Sequence, residues 1–154
     1  MLEQDQVDII KGAVKDFFEK MTIPASSIEA SLTSEKDAVD IDVKLEEPQI
    51  LIGQQGQTLF EIQRLLRTIL NKKLQNTFYF NLDINDYKRK KVEYLKNLAK
   101  ELADQAALAG EEKTLPPMSA YERRIIHAEL SQRTDVVTES WGEDFERHII
   151  IKPK

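Results

Sequence analysis

Residues 38–70 read AVDIDVKLEEPQILIGQQGQTLFEIQRLLRTIL, and the change of rhythm inside this stretch decides the fold class. Over residues 38–45 apolar and polar side chains alternate, with Val39, Ile41, Val43 and Leu45 on one side and Asp40, Asp42 and Lys44 on the other. That is the period of a half-buried strand. The polar Ser34-Glu35-Lys36-Asp37 before it suits a hairpin turn, so residues 28–33 are expected to form an antiparallel partner strand. After Pro48 a short apolar run, residues 49–52, stops at Gly53-Gln54-Gln55-Gly56. Leu59, Ile62, Leu65, Leu66, Ile69 and Leu70 then recur at helical spacing, so the glycines interrupt two helical pieces.

Working outward, Val7, Ile10, Val14, Phe17, Phe18 and Met21 mark an amphipathic helix over residues 5–21, closed by Pro24. Downstream, Phe78, Phe80, Leu82 and Ile84 alternate as a third strand. A long helix follows, with Tyr87, Tyr94, Leu95, Leu98, Leu102, Ala106 and Ala109 on one stripe and Gly110 as its stop, suited to link two domains rigidly. Pro116-Pro117 breaks the helical pattern, and Ser119 and Glu122 have capping-box spacing for a short helix ending near Ser131. Two closing strands are expected over residues 135–139 and 145–151, with a turn near Trp141-Gly142. The expected fold class is therefore α+β, in two small domains: residues 1–85, and residues 86–154 including the long connecting helix.

Composition narrows the chemistry. The 154 residues contain no cysteine, which excludes disulfides, thiolate nucleophiles and cysteine-rich zinc sites. The longest aliphatic runs, Ile50-Leu51-Ile52 and Ile149-Ile150-Ile151, fall far short of a membrane span, and the first residues lack the marks of a signal peptide, so a cytoplasmic protein is expected. No Walker-type glycine loop, nucleophile elbow or metal-ligand cluster is present, so neither catalysis, cofactor nor metal is expected. The net charge of -5 is uneven: residues 1–63 carry 5 bases and 13 acids, residues 64–100 carry 10 and 3, and residues 101–154 carry 7 and 11. A basic middle of this kind, with Arg64, Arg67, Lys72, Lys73 and residues 88–91, can attract a polyanion although the whole chain is acidic.

Two spacings suggest where a polyanion would sit. Gly53-x-x-Gly56 lies between two helical pieces, where small residues and helix N-terminal N–H groups let a sugar-phosphate backbone approach closely, with Gln54 and Gln55 offering amides but no charge. Arg123 and His127 are four apart on the short capped helix and so share a face, a guanidinium fork beside an imidazole. Arg124 adjoins them. Trp141, the one tryptophan, either stacks a base or covers the sheet edge; His148 faces opposite to Arg147.

The order helix, strand, strand, helix, Gly-x-x-Gly, helix, strand resembles a type II KH domain. Residues 115–127, with Thr138-Glu139-Ser140-Trp141-Gly142 and Arg147, resemble the R-three-H domain, a three-stranded sheet with helices named for its arginine and histidine. Together they resemble the bacterial Jag or KhpB-type RNA-binding proteins. That resemblance implies single-stranded RNA, or single-stranded DNA, bound by Gly53, Gly56, Arg123, His127, Ser140 and Arg147, and the position and charge of Gln54, Gln55, Arg64, Arg67 and Arg124 add them to the expected contact. It further implies regulation of cell elongation, division or sporulation; a homodimer or a partner KH protein is a separate expectation for the first unit. The alternative is a dimerisation or docking adaptor that meets nucleic acid incidentally, which the uncharged Gln54-Gln55 loop and the acidic first 63 residues favour.

Overall fold

The computed structural model describes residues 2–33 and 37–154. The chain divides between Lys88 and Arg89 into two compact units, each with its own core.

In the first unit the order is α1 (Gln4–Lys20), β1 (Ser27–Thr33), β2 (Ala38–Lys44), α2 (Gln49–Ile52), a 3-10 turn (Gln54–Gly56), α3 (Gln57–Leu74) and β3 (Tyr79–Ile84). The expected elements are all there; the expected hairpin turn falls mostly on residues 34–36, outside the described residues. β2 is the central strand, antiparallel to β1 and parallel to β3. The parallel pairing needs a crossover, which α2 and α3 supply. Because side chains alternate, Val39, Ile41 and Val43 fall in register with Phe80, Leu82 and Ile84, and all six are buried. Against them pack Val7, Ile10, Val14 and Phe18 of α1 and Leu59, Ile62, Leu66 and Leu70 of α3. Full burial of such side chains contributes roughly 1.5–3 kcal/mol each. Leu65 and Ile69 are a correction to the spacing: they are 51% and 43% exposed, because the buried arc of α3 is narrower than its run of apolar residues. Met21, expected in helix one, caps its end and is exposed.

The opposite face of this sheet carries Glu29, Asp40, Asp42, Asn81 and Asp83. Partial burial, and then the charges of Asp83, Asp86 and Asp40, raise the pKa of Asp42.

α4 (Tyr87–Ala109) starts in the first unit and runs through the second, followed by β4 (Lys113–Thr114), α5 (Ala120–Leu130), β5 (Val136–Trp141), a 3-10 turn (Asp144–Glu146) and β6 (His148–Pro153). The sheet order is β4-β6-β5, antiparallel throughout. Two expectations are corrected. The last strand begins at His148 and not at residue 145, because the 3-10 turn takes up the preceding residues. The packed stripe of α4 is Leu95, Ala99, Ala103 and Ala106, whereas Tyr94 and Ala109 are exposed. These residues share one core with Ile126, Leu130, Ile149 and Ile151. Among the described residues no helix is long and apolar enough to cross a membrane.

Candidate nucleic-acid interface

α5 begins as its sequence dictates. The Ser119 hydroxyl accepts from the Glu122 N–H at 3.3 Å, and the Glu122 carboxylate accepts from the Ser119 N–H at 2.8 Å. This closed box fixes where the helix starts, and so which residues share each face. At 100° per residue Arg123, Arg124 and His127 turn to one side, and Ile126 and Leu130 to the core. β5 then brings Thr138 and Ser140 to the same side. Ala120, Arg123, Arg124, His127, Ser140 and Arg147 line one open pocket of about 270 Å³. The five residues singled out from this half of the sequence therefore converge, from one helix and one hairpin.

Each side chain of the pocket is held differently. The Arg123 guanidinium donates to the Met118 carbonyl at 2.6 Å, and Arg147 Nε donates to Ser140 Oγ at 3.0 Å. Arg124 is exposed and points its charge into solvent. His127 Nδ1 lies 2.6 Å from Thr138 Oγ1, which fixes the ring plane and leaves Nε2 as the atom with hydrogen-bonding capacity to spare. Burial, and then the nearby Arg123 charge, push the His127 pKa below the ordinary value of 6.5, so the ring is neutral at pH 7. Among the described residues no carboxylate lies within ion-pair distance of Arg123, Arg124 or Arg147. Three positive charges thus share a concave surface without a counter-ion, which favours an anion with several acceptor oxygens.

The basic middle of the sequence behaves otherwise. Lys91 pairs with Glu122 at 3.6 Å, and Lys96 and Lys100 both pair with Glu129, at 3.7 and 2.9 Å. Lys88 donates to Gln63 and Asn81, and its burial lowers its pKa. Much of the positive run is therefore engaged within its own unit. Arg123, Arg124 and Arg147, by contrast, come from a segment that counts as acidic.

In the first unit Gly53, Gln54, Gln55 and Gly56 form the link between α2 and α3. Gly53 has φ +71°, Gln55 +55° and Gly56 +76°. A Cβ on Gly53 would stand 2.1 Å from Thr58 Oγ1, and one on Gly56 2.6 Å from the Tyr87 ring, so both glycines are required by the turn itself. Arg64 lies 3.7 Å from Glu61, with both side chains largely exposed, and Arg67 is exposed. Phe60, 54% exposed, shares their side of α3 by its spacing of four and seven residues. Trp141 is 56% exposed and lies opposite His148 across the strands, on the sheet face turned away from Ser140; neither lines the pocket. Thr138 was missed from sequence. Thr138 had a signal, since it stands two residues before Ser140 and must share its face.

A chain with these two α+β units, the second carrying an arginine and histidine pocket, belongs to a recognisable class: residues 93–153 match the R-three-H domain family. RNA-binding protein KhpB of Clostridium symbiosum is 35% identical over 141 residues, covering 92% of this chain and 63% of that protein. RNA-binding protein KhpB of Bacillus subtilis (strain 168) is 33% identical over 132 residues, covering 84% and 64%, and that of Streptococcus pneumoniae serotype 2 is 29% identical over 126 residues, covering 80% and 38%. Over the stretch shared with them this chain is similar to the KhpB type, as the resemblance of its motifs implied. It spans less than two thirds of the length of each of these relatives.

Proposed function

We propose that this chain binds single-stranded RNA without catalysing a reaction on it, with residues 86–154 acting as the R-three-H domain and residues 1–85 as a type II KH domain. The observation that carries the reading is the pocket of Arg123, Arg124, His127, Ser140 and Arg147, in which three guanidinium groups meet without a carboxylate partner. Phosphate oxygens complement such forks, and a neutral His127 adds one hydrogen bond or a stacking surface. The names of the relatives, RNA-binding protein KhpB, support RNA as the ligand. In the first unit the strand passes the Gly53 to Gly56 loop and the Arg64 and Arg67 side of α3. Without charge at Gln54 and Gln55 this contact is the weaker one, and it adds affinity through effective concentration. The strand keeps away from the sheet face of Asp40, Asp42 and Asp83. A regulatory role in elongation, division or sporulation is the cellular expectation.

The test is a titration of labelled single-stranded RNA against the wild type and the Arg123→Ala/His127→Ala double variant. We expect clear weakening, and an unchanged dissociation constant removes the proposal. A second reading, pairing with a copy of itself or with another KH protein, has one observation in its favour: Ile50, Leu65 and Ile69 of the first unit are exposed at 71%, 51% and 43%. Light scattering with and without nuclease treatment separates the two.

A further inference from the structure

Two aromatic side chains stand in solvent beside the arginine pocket: Phe145, 98% exposed, and Tyr121, 65% exposed. Each adjoins a lining residue. Tyr121 follows Ala120 in the first turn of α5, and Phe145 precedes Arg147 by two, so the Cα of each aromatic lies within about 7 Å of the Cα of that lining residue.

Single exposed apolar residues are ordinary, but the backbone under Phe145 is pinned. The Glu146 N–H donates to the Glu143 carbonyl at 3.0 Å, and the Met118 N–H to the Arg147 carbonyl at 3.0 Å. His148 Nδ1 lies 2.8 Å from the Glu146 carbonyl. Gly142, at φ +92°, packs so tightly that a Cβ there would stand 2.7 Å from the Glu146 oxygen. Asp144 holds φ +46°. A large ring is thus presented on a braced turn, so little further backbone order has to be imposed when something binds it.

Building on the RNA-binding reading, we propose that Phe145, with Tyr121, stacks unpaired nucleobases whose phosphates rest on Arg123, Arg124 and Arg147. The neighbours of Phe145 divide the labour. Glu143, Asp144 and Glu146 repel phosphate, so the loop tip meets the uncharged part of a nucleotide while the arginines take its backbone. A base inside a duplex has both faces covered by its neighbours and offers none to the ring, so this arrangement selects single strands.

The experiment measures anisotropy of two labelled strands of equal length, a single-stranded RNA and a base-free sugar-phosphate strand, against wild type, Phe145→Ala, Phe145→Trp and the Arg123→Ala/His127→Ala double variant. Base stacking requires Phe145→Ala to weaken RNA binding about fivefold or more, Phe145→Trp to retain it, and the base-free strand to bind wild type and Phe145→Ala alike. Tyr121→Ala is expected to behave as Phe145→Ala does. Equal affinity of wild type and Phe145→Ala for RNA overturns the stacking assignment while the arginine site stands, provided the double variant is weakened. Equal loss on both strands overturns it too, since the substitution then acts without bases. If the double variant also binds RNA normally, the RNA-binding reading fails and takes this assignment with it.

Discussion

Arg124 is the cleanest handle on the pocket, because its side chain makes no hydrogen bond or ion pair among the described residues and its removal leaves every helix and sheet contact in place. Arg124→Ala should therefore leave folding stability within about 0.5 kcal/mol of wild type. Its effect falls on binding. Each phosphate neutralised on a single strand contributes about 0.7 to the slope of log affinity against log salt, so the variant should lose about 0.7 from that slope. An exposed charge contact is worth up to about 1 kcal/mol, or about fivefold in dissociation constant near physiological salt. The contrast should widen at low salt: between about 50 and 200 mM, one contact of this kind changes affinity by about 2.5-fold. The assay is fluorescence anisotropy of a labelled single-stranded RNA at four salt concentrations, with melting curves as the folding control. A slope and a dissociation constant equal to wild type would refute the reasoning, since an unpaired guanidinium on the binding surface has no other way to be silent.

The other expectations concern protons and backbone. His127 is held below 6.5 in the fold, so the unfolded chain takes up the proton first, and stability contributed by the neutral ring is lost as pH falls from 6.5 through its lowered value. A bound phosphate reverses the preference, so RNA affinity should rise as pH drops from about 7.5 to about 5.5, and His127→Gln should flatten that profile relative to wild type. Gly53→Ala must keep φ +71° and place a Cβ 2.1 Å from Thr58 Oγ1, so thermal melting should reveal a loss of about 1–3 kcal/mol. Gly12 is the opposite case: it sits inside α1 with nothing within 4 Å of an added Cβ, and Gly12→Ala should stabilise by about 0.5–1 kcal/mol in urea unfolding. Ser119→Ala opens the capping box and should cost about 1 kcal/mol by the same measurement.

What could be read in the sequence, and what could not, follows from how many residues carry each signal. Alternation over seven residues identified β2, and Ser119 with Glu122 placed the start of α5, because both patterns are local and repeat a known period. β4 is two residues long and has no period to display. Leu65 and Ile69 show the limit of spacing: the apolar positions of α3 cover a wider arc than the sheet and α1 can bury. The charge count has a related limit. Lys91, Lys96 and Lys100 meet Glu122 and Glu129, carboxylates far along the chain, and linear counting cannot see such pairing. Arg123 and His127 were legible from their spacing of four, whereas Ser140 and Arg147 were reached through family resemblance, since their approach to α5 depends on the β5 and β6 hairpin. Exposure of Phe145 and Tyr121 is a property of the folded surface, and nothing in their neighbours announces it.

Photo-crosslinking of the chain to single-stranded RNA, followed by peptide mass mapping, tests most directly whether RNA lies against the arginine pocket. Crosslinks should concentrate on the peptides that carry residues 119–127 and 138–147, and should vanish in the Arg123→Ala/His127→Ala variant. Crosslinks confined to other surfaces and unaffected by that variant would contradict the account.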